Sequence, residues 1–315
     1  MNMETYRREG EWLELCIGSV AAAAGAEPLA PGTHPHAVRL WLLQHTDLPP
    51  KWLGRLFSVG GIRWHGEALR LLAFPAVDPG RDSLYRTAAA GGAPRAEALY
   101  EDDFCVVLYK PAGMPVHESY PGQTGTLDIA AAGHALDAGD PLPLRHIHRL
   151  DDDTSGPVLY AKCELAQLRL DEAMREKRID RRYLAVVNGK PLPPSGTVDE
   201  PIGKDRHHSS RRIVTPRGDK AVTHYELAER WGTASLLRLR LETGRTHQIR
   251  VHMAYKGNPL LGDSLYGGDM RYIKHQALHG ESLVFPHPWT SEQVKVAAPA
   301  PAWLEPLKQK LKGAK

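Results

Sequence analysis

The residues best suited to chemistry lie together at 148–156, reading His-Arg-Leu-Asp-Asp-Asp-Thr-Ser-Gly. Asp151 stands between a basic, strand-like run and a glycine turn, where extended backbone can hold a carboxylate rigidly. Arg149 precedes it by two positions. If the run is extended, the guanidinium and the carboxylate therefore share one face. That pairing suits a charged nucleophile beside an anionic substrate. An acidic turn has the same composition, because Asp and Gly favour turns, so the run alone leaves both readings open.

Four further stretches combine turn formers with reactive side chains. Upstream is Lys110-Pro-Ala-Gly-Met-Pro-Val-His117. Downstream come Arg182-Tyr183-Leu-Ala-Val-Val-Asn-Gly189, then Thr243-Gly-Arg-Thr-His-Gln-Ile-Arg-Val-His252, then Pro259-Leu-Leu-Gly-Asp-Ser-Leu-Tyr-Gly267. Taken in order with HRLDDDTSG, they resemble the signature motifs of the RluA-type pseudouridine synthases, which isomerise uridine within RNA. The resemblance covers residues 97 to 300.

The resemblance implies a definite chemistry. Pseudouridine formation breaks the N1–C1′ glycosidic bond, turns the uracil and rejoins it through C5. No redox change occurs and no atom is lost, so neither a metal nor an organic cofactor is expected. By the resemblance, Asp151 attacks C1′ or stabilises positive charge there. Asp152 and Asp153 fall where the family varies, so the role is not carried to them. Full burial can raise a carboxylate pKa by about 3–5 units, so a nearby cation is required. Arg245 matches the family arginine that pairs with the catalytic aspartate. A cation at a helix start also sits badly without an anionic partner. Tyr183 matches the tyrosine that stacks on the target base, although a core tyrosine would look the same in an apolar strand. Leu261, in PLLGD, is expected to close the pocket against the base. Arg149 matches the arginine that fills the stack vacated when the nucleotide is extruded.

The partner implied is a structured RNA containing the target uridine, ribosomal or transfer RNA. A second basic run, 204–220, carries Lys204, Arg206, Arg211, Arg212, Arg217 and Lys220 against Asp205 and Asp219. It reads either as a solvated loop or as a hairpin laid along phosphates. In the second case four contacts would contribute roughly −3 to the slope of log K against log salt, at about −0.7 each. His146 with His148, and His247 with His252, lack a Cys, Asp or Glu at a recognised ligand spacing, so no zinc site is expected. Two other functions fit parts of the pattern. One is an RNA-binding relative without catalysis, acting in ribosome assembly. The other is a glycosidase using Asp151 and Asp153 as paired carboxylates.

The elements that must position these groups read as α+β, with a twisted, largely antiparallel mixed sheet. The resemblance gives the catalytic domain the same architecture. Residues 1–85 read as a small N-terminal α+β domain. Within it, 11–17 alternate like a strand and 18–33 read as a loop. Helices follow around Val38–Leu43 and Trp52–Phe57, then a strand from Ile62. Two helices before a strand and turn resemble a degenerate form of an RNA-binding module known from a ribosomal small-subunit protein. Residues 86–97 are small and flexible in composition, a linker, and 98–315 form the catalytic domain. There, strands are expected at 104–108, 157–163, 183–187 and 237–241. Helices are expected at 127–136 and 246–256, the latter capped by Thr246 and ended by Gly257. The charges of 164–178 read as a solvated face.

Composition narrows the class without selecting it. The chain has 315 residues, 42% of them hydrophobic, enough for one large or two modest cores. A formal net charge of +3 permits RNA binding without requiring it. Three widely spaced cysteines, Cys16, Cys105 and Cys163, fit a reducing, cytoplasmic setting rather than a disulfide framework. The charged N-terminus is not a signal peptide, and no apolar run of membrane-spanning length occurs. No membrane association is expected, and a monomer is the default.

Overall fold

Short alternating runs near the N-terminus pair locally. The computed structural model describes residues 6–91, 94–189 and 192–313. Strands β1 (Tyr6–Glu9) and β2 (Trp12–Leu15) form a hairpin around Gly10, which takes left-handed backbone at φ 57°. Helix α1 (Ile17–Ala24) replaces the loop that the composition suggests. Its alanine run is the best helix-forming sequence available, and Gly25 closes it at φ 62°. Helices α2 (Pro35–His45) and α3 (Pro50–Ser58) each carry proline in the first turn, where its missing N–H costs nothing. Strands β3 (Ile62–His65) and β4 (Ala68–Leu72) complete an antiparallel sheet ordered β1-β2-β4-β3. Residues 86–89, linker-like in composition, finish helix α4 (Ser83–Ala89). The Asp82 carboxylate caps it by accepting from the backbone N–H groups of Leu84 and Tyr85.

Beyond 97 lie β5 (Ala98–Glu101), β6 (Cys105–Lys110), α5 (Leu127–Asp137), β7 (Arg145–His146) and β8 (Gly156–Ala161). They give a second antiparallel sheet, β5-β6-β8-β7. Helix α6 (Glu164–Arg175) buries Leu165, Ala166, Leu170 and Ala173, so this charged segment carries an apolar stripe beside its solvated face. Next come β9 (Asp180–Asn188), β10 (Ser195–Asp199), the hairpin β11 (Ile202–Lys204) and β12 (Arg212–Val214), then β13 (Val222–Trp231), β14 (Ala234–Leu241) and α7 (Gln248–Tyr255). Strands β15 (Leu278–Pro286) and β16 (Gln293–Ala297) and helix α8 (Leu304–Gly313) end the described chain. The central sheet runs β10-β13-β14-β9-β15-β16, antiparallel throughout. The architecture is α+β and largely antiparallel.

Side-chain alternation in β9 divides two cores. Tyr183, Ala185 and Val187 face the four-stranded catalytic sheet and pack with Val106, Leu108, Val158 and Tyr160. Leu184 and Val186 face the other way, under Leu307 and Leu311 of α8. A third core joins Leu13, Trp52 and Phe74 of the N-terminal unit to Phe104, Leu165 and Trp289. At its centre Phe104 and Trp289 stack at 5.4 Å, with Tyr6 edge-on to both at 5.1 Å.

Candidate active site

The segment from His148 to Ser155 joins β7 to β8 within the four-stranded sheet and touches the central sheet at Ser155 and His279, and separate bonds hold it from either side. Lys110, completely buried at the end of β6, donates from its ammonium to the carbonyls of Asp152 at 2.6 Å and Met114 at 2.5 Å. Burial pulls the Lys110 pKa down to about 8, opposed by Asp152, Asp151 and Asp153. Gln276 Nε2 donates to Thr154 Oγ1 at 3.2 Å, and Ser155 Oγ bonds His279 Nδ1 at 2.8 Å. The loop leaves through Gly156, at φ 137°. A Cβ there would lie 2.7 Å from the Gly280 backbone, so the two strands approach as only glycine allows. Asp151 is thereby fixed at the head of β8, its side chain 24% exposed.

The cation on Asp151 is Arg250, not Arg245. Arg250 Nη1 donates to Asp151 Oδ2 at 3.1 Å. The same guanidinium forks onto Asp263, Nε to Oδ2 at 2.7 Å and Nη2 to Oδ1 at 3.0 Å. Burial opposes the charge on Arg250, but the Asp263 hydrogen bond and the Asp151 charge hold its pKa above the ordinary value. Arg245 lines the same cleft as Asp151 and Tyr183, yet its Nε donates to the Lys220 carbonyl at 3.1 Å and its Nη1 lies 3.9 Å from Asp219. The helix start explains the exchange. Helix α7 begins at Gln248, behind a His247 N-cap in left-handed backbone at φ 58°, and Thr246 does not cap it. Arg245 therefore belongs to an irregular loop, while Arg250 sits inside the first helical turns and points at the cleft. Gln248 knots that loop down. Its Oε1 accepts from Arg245 N and Thr243 Oγ1, and its Nε2 donates to Val222 O and Thr223 Oγ1.

Tyr183 forms the floor, 6% exposed, with no hydrogen-bond partner for its hydroxyl among the described residues. Burial pushes its pKa up; Arg181 opposes this and Asp151 adds to it. The cleft over Tyr183 is small, about 50 Å³, and lined by Leu241, Ile249 and Leu278. Leu261 is not among these residues. It is 1% exposed in the core on the far side of β9, with Leu184 and Val186. Its amide donates to the Val186 carbonyl at 2.8 Å, which fixes it to that face. Leu278 lines the cleft and Leu261 does not.

Arg149 is exposed at the cleft rim, 3.4 Å from Thr246 Oγ1. The basic run forms the β11–β12 hairpin, with Lys204 opposite Arg212. Lys204, Arg206 and Arg211 are exposed and Arg212 is half-buried. Tyr266 links this hairpin to the site. Its hydroxyl accepts from Arg212 N at 2.9 Å and bonds His247 Nδ1 at 2.9 Å, and its ring lies 5.0 Å from the Arg250 guanidinium. Among the described residues, one group has metal-ligand spacing: Asp102, Cys105 and His287. It lies outside the cleft and is already bonded. His287 Nδ1 accepts from the Trp289 and Thr290 amides, which leaves Nε2 to donate to Asp102 at 2.8 Å, with no lone pair for an ion. No described helix is long and apolar enough to cross a membrane.

Sequence reasoning passes over Arg250, Asp263, Lys110, Gln248 and Leu278. Arg250, Gln248, Asp263 and Lys110 stand inside quoted motifs, but only their contacts single them out.

Residues 104–255 match the model of the RNA pseudouridylate synthase family. The chain is 45% identical over 213 residues to the "uncharacterized RNA pseudouridine synthase YhcT" of Bacillus subtilis, covering 67% of this chain and 70% of that protein. It is 42% identical over 230 residues to the "ribosomal large subunit pseudouridine synthase D" of Xanthomonas campestris, covering 68% and 69%. Among solved structures it is similar to human RNA pseudouridylate synthase domain containing 4. That likeness has a TM-score of 0.57 and 25% identity, over 68% of this chain and 92% of that one.

Proposed function

This chain belongs to the RNA pseudouridine synthase family, isomerases acting on RNA, and on that premise we propose that it converts specific uridines in structured RNA to pseudouridine, with Asp151 as nucleophile. One observation carries the assignment: the Asp151 carboxylate meets Arg250 at 3.1 Å in the cleft whose floor is Tyr183. The pairing sets a cation directly against the carboxylate, and the Asp263 hydrogen bond and the Asp151 charge hold the Arg250 pKa above its ordinary value. In the proposed step an Asp151 oxygen bonds to C1′ and the C1′–N1 pair leaves with the uracil. The base turns over Tyr183, C5 bonds to C1′ as the ester opens, and the C5 proton passes to N1. Nothing is gained or lost overall.

A uracil stacked in a helix cannot reach a cleft this small, so the nucleotide is extruded, at a cost of a few kcal/mol. Arg149, exposed at the rim, fills the vacated stack. Lys204, Arg206, Arg211 and Arg212 hold the flanking phosphates. Arg245, facing the same cleft, binds substrate rather than Asp151. Ribosomal RNA is the favoured substrate, because a relative at 42% identity is named for the large ribosomal subunit. The N-terminal unit, residues 1–85, helps choose the RNA, and the protein works as a monomer in the cytoplasm.

The test is incubation of purified protein with unmodified ribosomal and transfer RNA. Pseudouridine should form with no release of free uracil. Binding without product would favour a non-catalytic RNA-binding role, and free uracil would favour hydrolysis by paired carboxylates.

A further inference from the structure

Beside the Tyr183 cleft, and opening on the same Asp151, lies a second cavity of about 300 Å³. That is the lower end of the range of about 300–1,000 Å³ for small-molecule clefts, with room for one planar base. Its wall is rich in acceptors that meet no donor. Gln276, 4% exposed, lines it; the amide donates to Thr154, and its Oε1 has no partner among the described residues. Asp152 and Asp153 line it too, and neither carboxylate has a hydrogen bond or ion pair among the described residues. His117 forms another wall, stacked on His146 at 5.6 Å and 26°.

These features point away from a phosphate guest. Two carboxylates with no hydrogen bond or ion pair, opposed only by the charge of the buried Lys110, would repel the RNA backbone, although Arg149 in the same wall attracts it. The Gln276 oxygen is free to accept from a guest, and His117 Nδ1, buried in the same wall, has no hydrogen-bond partner among the described residues. A base edge carrying an amino group meets both demands, since carboxylates accept from such groups and an aromatic face supports the ring.

Resting on the RNA-isomerase reading above, we propose that this cavity is a second base subsite. It receives the nucleotide adjoining the target uridine and prefers guanine, adenine or cytosine over uracil. Asp153 and Gln276 accept from the amino edge, Asp152 adds negative potential, and the His117 ring supports the base. Arg149, which lines this cavity next to the Leu150 and Asp151 that both cavities share, separates the two bases.

The experiment uses the full chain and a transcript pool in which the two nucleotides on each side of a uridine are randomised. Pseudouridines are then read by sequencing. At one flanking position the wild-type products should favour amino-bearing bases over uracil by about tenfold, the range of one good base contact. Asp153→Asn, which adds amide donors, should cut that preference below about threefold, with its melting temperature recorded as a check on folding; Asp152→Asn serves if Asp153→Asn does not fold. Product that shows no flanking preference, or one that neither variant alters, overturns the subsite while leaving the isomerase reading intact. No product on any RNA removes both.

Discussion

Arg250 joins two carboxylates through one planar fork, and its value lies in that geometry. Asp263 is 1% exposed and takes both oxygens' worth of hydrogen bonds, which aims the remaining Nη1 at Asp151. A lysine could supply the charge but not the fork. Arg250→Lys should therefore lower kcat on a competent RNA by at least tenfold and lower the melting temperature, because breaking a buried pair costs about 3–5 kcal/mol. Arg245→Ala should raise KM while changing kcat less than about threefold, on the logic that a kcat loss marks an interaction made in the transition state. Steady-state kinetics of both variants on one transcript decide the matter; equal kcat losses would contradict the division of roles. At this scale the sequence was legible in its motifs and not in its contacts. Asp151 and Tyr183 stand out because each is the distinctive residue of its stretch, and the structure does bring them into one cleft. GRTHQIR offers two arginines, and choosing between them needs the helix start. A helix drawn from Thr246 makes Arg245 the capping neighbour, whereas the left-handed His247 moves the first turn and hands the contact to Arg250.

The elements explain which faces are available. Strand β9 carries Tyr183 toward the cleft and Leu184 away from it, so anything bonded to the Leu184 side is lost to the site. Leu261 is such a residue. The PLLGD stretch pairs alongside β9 at Val187, so Leu260 and Leu261 fall on opposite faces, and nothing in those five residues reveals which leucine lands on the Tyr183 side. The alanine-rich segment after β2 and the start of the presumed linker were misread for a different reason. Small residues are shared by loops and helices, and here a C-terminal glycine and an Asp cap settle the outcome as α1 and α4. The basic run was legible as loop or hairpin, and the β11–β12 pairing sets Lys204 beside Arg212 on one exposed tongue. Replacing Lys204, Arg206, Arg211 and Arg212 with Gln should make log K against log salt less steep by roughly 3, at about 0.7 per phosphate contact. Filter binding from low to moderate salt measures this. An unchanged slope would return the hairpin to a solvated role.

At the scale of the whole molecule, the N-terminal unit and the catalytic part share an interior. Phe74 packs on Phe104 at 5.5 Å, Tyr6 donates to Asp103 at 2.9 Å, and Arg8 donates to Asp140 at 2.6 Å. Any role of the N-terminal unit in choosing RNA is thus exercised from a surface anchored in the catalytic core. Phe74→Ala should destabilise the chain by about 3–5 kcal/mol, as for other buried aromatics. It should do so in a single unfolding transition seen by calorimetry. Two separate transitions, only one of them shifted, would show that the shared core does not couple the parts. Sequence patterns gave the α+β class and the order of many elements, but this coupling could not be read from them. The residues named here lie up to 132 positions apart, and nothing in the sequence around any of them marks its partner.

The proposed chemistry rests on the Asp151 side chain, so the direct test is Asp151→Asn, which keeps its shape and removes the carboxylate. Assayed on unmodified ribosomal RNA, the variant should bind with an affinity near that of the wild type and form no detectable pseudouridine. Retention of more than a few per cent of wild-type turnover would show that the attacking group lies elsewhere.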